Sequence, residues 1–433
     1  MKNLGHLIRK VDQLFTKWDN STSPGCALGI VKNGEMIYDR GYGMADLELG
    51  DPITSKTVFY ICSTSKQFTA TCIHLLAHRG LIALDDSIRR FVPELSPSFQ
   101  RVTIRDLLHH TSGIRDYFDL MDIAGMDVSN VHSDSVIIDL LKRQEGLTFT
   151  PGERFSYSNS GYFLLSVVVE RSSRRTLRQF AEEEIFGPLS MARTHFHDNW
   201  KMGVPNRAKG YDNVEDGFRT CQTKFDRVGS GGLMATVEDL FRWDQNFYRN
   251  RLGKAAIIRD LLTPGKLNFG EPLNYASGLY LTDYKGLQAI HHAGRSFGFT
   301  AELIRFPRQE FSVICLANAS AIDSGNLARQ VADIFLADAF EFKEYVGRYY
   351  CRELRATYKL ISRQGNLVMT HGTRGERLLQ FKNRDQFEVS DITSGTSGKL
   401  HLQFVRDQWG RVAGLNAGTR TERDIPFIKS KRT

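Results

Sequence analysis

Apolar positions in the first eighteen residues fall at Leu4, Leu7, Ile8, Val11, Leu14, Phe15 and Trp18, interrupted by Arg9, Lys10 and Asp12. This spacing predicts an amphipathic helix lying on a core, not the unbroken apolar run of an export segment. Two strands follow, residues 27–31 and 35–40, around Asn33-Gly34, a pair that accepts the positive φ of a two-residue hairpin turn. Residues 58–61 lead into a helical pattern with Phe68, Cys72, Leu75 and Leu76 on one stripe, ended by Gly80. Thr103 with Asp106, and Thr236 with Asp239, read as capping boxes that open further helices. Another helix covers residues 162–171. Strands return at 287–292, 299–305 and 311–317, and a helix with Leu327, Val331, Ile334 and Phe335 follows. The expected fold class is α+β, an antiparallel sheet assembled from both ends of this region with helices between them.

From Tyr345 onward the texture changes to short alternating strands, 357–362, 366–370 and 399–406, with turns at Gln364-Gly365 and residues 407–410. This predicts a small all-β barrel or sandwich. A chain of 433 residues exceeds one compact core. The expected division is therefore 1–340 and 341–433. No stretch of eighteen apolar residues exists, so no membrane-spanning helix is expected. As written, the chain reads as cytoplasmic, the alternative being export with the signal already removed.

The cysteines Cys26, Cys62, Cys72, Cys221, Cys315 and Cys351 stand singly, without C-x-x-C spacing, and are expected to be buried thiols. The net charge of +8 is carried by residues 341–433, which hold 18 Lys+Arg against 10 Asp+Glu. It reads as a solvated, Arg-rich barrel exterior, and no nucleic-acid signature accompanies it.

Three short motifs carry candidate chemistry. Ser63-Thr64-Ser65-Lys66 sits at a helix start, where positions i and i+3 share a face and free N–H groups suit an oxyanion. A serine hydroxyl needs a base to become nucleophilic, and Lys66 serves if burial depresses its pKa. Tyr157-Ser158-Asn159 projects two polar groups in one direction if extended, the phenol as acid or base and the amide as donor and acceptor. His292-Ala293-Gly294 lies on a late strand, where the glycine lets a ligand approach the backbone.

In this order and at these separations, the motifs resemble those of the serine β-lactamase, DD-peptidase and D-aminopeptidase superfamily. Similar stretches include residues 24–46, 103–113 (TIRDLLHHTSG), 151–165 (PGERFSYSNSGYFLL), 231–239 and 292–307. The resemblance covers about residues 20–337 and implies a two-step acyl transfer. Ser63 would attack a carbonyl, with Ser63 and Arg295 backbone N–H groups as the oxyanion hole, and one such donor is worth about 3 kcal/mol. Lys66 and Tyr157 would share the roles of base and leaving-group acid. Asn159 would position the substrate amide, and His292 and Gly294 would line the pocket opposite Tyr157. Residues 341–433 more loosely resemble appended lipocalin-like barrels, through residues 345–349, Gly365-Asn366-Leu367 and 402–406 with Gly410.

The third motif departs from β-lactamases, which resemble Lys-Thr-Gly there. Losing that charge-assisted grip on a carboxylate costs about 1.5–3 kcal/mol. No deacylating glutamate of the class A type stands out. The expected activity is hydrolysis of a small amide or ester, with D-amino-acid peptides among the substrates. The alternatives are a DD-peptidase or penicillin-binding, β-lactamase-type enzyme, and, from another class, a non-catalytic acylated sensor or scaffold. The expected partners are a small-molecule or short peptide substrate and, as a homo-oligomer, further copies of the chain. No cofactor or metal is expected.

A rival nucleophile is Ser296 in Gly294-Arg295-Ser296-Phe297-Gly298, but that elbow needs a following helix and residues 299–305 alternate like a strand. His195-Phe196-His197 could place two imidazoles on one side of a strand, without a third ligand. His109-His110 reads as packing beneath the site.

Overall fold

In the computed structural model, the residues described are 2–130, 132–221, 224, 226–252, 255–337, 339, 342–363, 366–371, 375–383, 385–389, 399–407, 411–419 and 424–430. The expected turn residues Gln364, Gly365 and Gly410 lie outside them. The chain divides into two compact units, Met1–Leu281 with Ile290–Gln330, and Thr282–Ala289 with Val331–Thr433.

Asn33 and Gly34 take φ of 51° and 81°, closing the hairpin between the strands Cys26–Lys32 and Glu35–Tyr42. A second hairpin, Leu287–Ser296 to Phe299–Phe306, turns on Phe297 and Gly298 at 48° and 77°. The sheet order is Tyr280–Tyr284, Leu287–Ser296, Phe299–Phe306, Phe311–Ala317, Cys26–Lys32, Glu35–Tyr42. Pairing from Leu287–Ser296 through Glu35–Tyr42 is antiparallel. The first strand of the chain thus pairs with the last of this sheet, Cys26 opposite Ala317 and Lys32 opposite Phe311.

The amphipathic N-terminal helix is Lys2–Phe15, with Val11 and Phe15 fully buried. The helix that follows Ser63, Lys66–His78, departs from the single-stripe expectation: every residue from Lys66 to Leu76 is buried. Its polar side chains are admitted because each finds a partner. Thr69 donates to Gly229 O at 2.8 Å, Thr71 to Gln67 O at 2.7 Å, and Gln67 accepts from Trp243 Nε1 at 2.6 Å. The helix Asn159–Ser173 packs against it and is likewise buried from Ser160 to Val169. Both are core helices, enclosed on all sides along these stretches, and a one-face apolar pattern underestimates such burial.

Thr103 and Asp106 form the reciprocal capping box of the helix Ile104–His109. Thr236 caps Val237–Arg249 by accepting from Asp239 N, but the Asp239 carboxylate turns away, to Arg193 N at 2.8 Å and Thr194 Oγ1 at 2.9 Å. A long-range contact there displaces the local return bond.

In the second unit, eight strands from Gly347–Cys351 to Ile425–Lys429 form a closed barrel, shut by Tyr349 opposite Lys429 and Tyr350 opposite Ile428. Side chains alternate inward and outward, as in Leu400–Arg406, where Leu402 and Phe404 are buried between exposed neighbours. Phe404 meets Tyr345, Phe387 and Tyr349 at ring separations of 4.7, 5.5 and 5.7 Å, so aromatic rings fill the interior.

Among the described residues, no helix is long and apolar enough to cross a membrane. The six cysteines are free thiols, all buried except the half-buried Cys221.

Candidate active site

A short 3-10 turn, Cys62–Ser65, feeds the Lys66–His78 helix, with Cys62 at φ 52°. The i, i+3 spacing sets Lys66 Nζ 3.1 Å from Ser63 Oγ. Lys66 Nζ also donates to Asn159 Oδ1 at 2.9 Å and to Ser230 O at 2.7 Å, and its carbon stem is fully buried. Burial pushes its pKa down to about 7, against the upward pull of the Asp116 carboxylate.

Tyr157 hydrogen-bonds Ser63, and the Lys66 ammonium lies 4.7 Å over its ring. Desolvation nevertheless raises the phenol well above its ordinary value, outweighing the Ser63 bond. Proximity of Lys66 therefore does not make Tyr157 a ready phenolate, because the cation is itself weakened by the same burial.

Asn159 does not continue an extended segment; it opens the helix Asn159–Ser173, after the extended Ser158. Both ends of its amide have protein partners: Oδ1 accepts from Lys66, and Nδ2 donates to Asp116 Oδ2 at 3.0 Å. Asp116 also accepts from Asn159 N and, as an N-cap, from Phe118 N at 2.8 Å. Asp116 and Ser230 went unrecognised in the sequence. The signal for Asp116 was a capping residue three places beyond the TIRDLLHHTSG stretch, and none existed for a backbone carbonyl.

On the strand Leu287–Ser296, alternate residues face opposite sides. Gly294 faces the turn that carries Ser63, where an added Cβ would stand 2.4 Å from Ile61 O and 3.0 Å from Ser63 N. The close approach expected of a ligand is made here by the protein's own backbone. Thr64 Oγ1 donates to His292 O at 3.0 Å, tying the same two elements together.

His292 is buried and held neutral, its pKa lowered to about 3 by desolvation and then by the Lys66 charge. It is therefore no cation for a carboxylate. Its neighbours set its tautomer. Ser158 N donates to His110 Nδ1 at 3.1 Å, which leaves the His110 proton on Nε2, 3.2 Å from the Tyr275 hydroxyl. That hydroxyl lies 3.2 Å from His292 Nε2, and His292 Nδ1 donates to Ala293 O at 2.6 Å. The expectation for His110 was packing; it also heads this directed chain of hydrogen bonds. Burial holds it neutral too.

Two cavities meet at Ser63 and Arg295. One, of about 420 Å³, is lined by Tyr157, His292, Gly294, Glu302 and Arg329 among others. The second, of about 350 Å³, includes Tyr117, Phe118, Asn159 and Ser230. The Arg295 guanidinium itself turns to Ser320 O at 2.6 Å.

Ser296 ends its strand and leads through a hairpin turn into another strand, so the strand–turn–helix context of an elbow is absent. His195 Nε2 and His197 Nδ1 lie 3.2 Å apart and line neither cavity. Among the described residues, no group of three His, Cys, Asp or Glu could hold a metal ion.

The chain is 29% identical over 301 residues to the D-aminopeptidase of Brucella anthropi, covering 69% of this chain and 57% of that protein. It is 31% identical over 307 residues to penicillin-binding protein 4* of Bacillus subtilis (strain 168), covering 66% of each. The chain thus spans little more than half of the first relative. The octameric penicillin-binding protein homologue from Pyrococcus abyssi shares its fold, with a TM-score of 0.67 at 23% identity over 99% of this chain and all of that one. Residues 11–335, the stretch that holds the Ser63, Tyr157 and His292 motifs, match the family described as Beta-lactamase, and the chain belongs to that family.

Proposed function

We propose that the protein is a serine hydrolase that forms an acyl-enzyme at Ser63 from a small amide or ester, D-amino-acid peptides included. The observation that carries this reading is the Lys66 hydrogen-bond count. A neutral amine has two N–H donors and one lone pair. Asn159 Oδ1 and Ser230 O accept the two N–H groups, which leaves the lone pair for the Ser63 hydroxyl, 3.1 Å away. With its pKa near 7, Lys66 is the base of the free enzyme. Tyr157, raised by burial, keeps its proton and delivers it to the leaving group. Ser63 and Arg295 N–H groups hold the oxyanion, and Asn159, whose amide is already engaged, orients Lys66 more than it orients substrate. A neutral His292 gives a β-lactam carboxylate no charge, which favours amides and esters over β-lactams.

The relatives' names, D-aminopeptidase and penicillin-binding protein, support this reaction class. A homo-oligomer is also proposed, on the strength of the octameric neighbour, and light scattering on the purified protein tests it.

The direct test is a fluorophosphonate probe with a panel of p-nitrophenyl esters, D- and L-amino-acid amides and nitrocefin. Wild type should be labelled and turn over esters or amides at least a hundredfold faster than nitrocefin, and Ser63→Ala should lose both properties. Full activity in Ser63→Ala, with loss in Ser296→Ala, would overturn the assignment. Labelling without release on any substrate would instead favour the acylated sensor.

A further inference from the structure

We infer that the two cavities meeting at Ser63 divide the substrate, and that the Tyr117–Phe118 cavity receives an aromatic or branched apolar acyl group. This rests on the serine-hydrolase reading above. Ser63 and Arg295, whose N–H groups would hold the oxyanion, are common to both cavities. The two other substituents of the reacting carbonyl must therefore extend one into each. The acid that protonates the leaving group has to stand on the leaving group's side. Tyr157 lines the larger cavity and not the smaller, so the leaving group departs through the larger one. The acyl portion is left in the smaller.

Both linings mix polar and apolar groups, and they differ in which side chains they add. The larger cavity adds Glu302, Asp323 and Arg329 to a largely apolar wall. The smaller adds Tyr60, Tyr117, Phe118, Val128 and Phe297, beside the polar Asn159, Arg227 and Ser230. Tyr117 and Phe118 stack at 4.4 Å, Tyr117 buried and Phe118 half-buried, so Phe118 presents the ring surface a third aromatic group would meet. Arg227 reaches this lining too, but its guanidinium lies against those two rings and donates to Val128 O at 2.9 Å. At about 350 Å³ the cavity is small for a ligand site. It is ample for one ring, since a cavity of about 150 Å³ holds benzene.

The test uses p-nitrophenyl acetate, phenylacetate and monoglutarate, each kcat/KM divided by the ester's hydroxide rate. Wild type should prefer phenylacetate over acetate by about tenfold or more. Phe118→Ala should cut that ratio about tenfold, while the ratio between p-nitrophenol and glycine as leaving groups, with phenylacetyl fixed, should stay within about twofold. Val128→Trp, at a half-buried position, should lower the acyl ratio by filling the cavity and stands in if Phe118→Ala fails to fold. An unchanged acyl ratio, a shifted leaving-group ratio, or a preference for monoglutarate, which would make Arg227 the anchor, overturns the inference. Ser63→Ala is run alongside: if it hydrolyses all three esters, the nucleophile assignment falls, a result distinct from any change in acyl preference.

Discussion

Lys66 loses nearly all its water in the fold, and the remaining stabilisation of its charge comes from two carbonyl oxygens, Ser63 Oγ and the nearby Asp116 carboxylate. Its ammonium dominates below about pH 7 and its free amine above, so kcat/KM for an ester should rise with pH through an inflection near 7. Asp116→Asn removes a negative charge that favours the ammonium. The inflection should move to lower pH, and kcat/KM at pH 8 should drop about tenfold as Asn159 loses a charge-assisted anchor. A pH profile of the variant checks both, and an unmoved inflection would separate Asp116 from Lys66. His110 and His292 are neutral across this range, so they contribute no inflection of their own. At this scale the sequence was most informative where spacing alone brings side chains together, as for Ser63 and Lys66. It was least so for Asp116, Ser230 and Tyr275, which reach the site only through tertiary folding.

Between elements, the contact that shapes the site is the strand carrying Gly294 pressed against the turn carrying Ser63. A Cβ at Gly294 would overlap Ile61 O, a backbone atom that cannot rotate away. Gly294→Ala should therefore cost about 1–3 kcal/mol in denaturant unfolding and slow probe labelling of Ser63 by at least a hundredfold. A variant that labels at the wild-type rate would show that the turn is free to shift. Element boundaries followed from local chemistry where caps and turns are self-contained, as at Thr103 with Asp106 and at Asn33-Gly34, whereas the strand expected to end at His292 runs on to Ser296. Where a distant partner intervenes, local reading fell short. Asp239 answers Arg193 and Thr194 rather than its own cap, and Lys66–His78 is buried on every side because other helices enclose it.

For the molecule as a whole, the two units differ in what holds them together. The first relies on helices and a sheet around one large apolar core, the second on a ring of strands closed over aromatic side chains. Phe404 touches three of those rings, Tyr345, Tyr349 and Phe387. Phe404→Ala should cost the barrel about 3–5 kcal/mol, read as a lower denaturant midpoint by near-ultraviolet circular dichroism. A loss below about 1 kcal/mol would mean the barrel repacks. Alternation in residues 357–362 and 399–406 exposed the barrel in the sequence. Its shorter strands, such as Gln386–Val389, offered too few residues for a period of two to stand out.

The pairing of Cys26–Lys32 with Phe311–Ala317 also has a consequence for biosynthesis. A ribosome adding ~5–20 residues per second needs roughly 15 to 60 s to travel from one strand to the other. Throughout that interval the early hairpin has an open edge that its permanent neighbour has yet to cover. The wall at Gly294 is also unmade, so an emerging chain carries Ser63 without a finished site. Truncations ending before Ala317 should accumulate as aggregates or chaperone clients rather than as weak enzymes. Ser63 is made early and completed late.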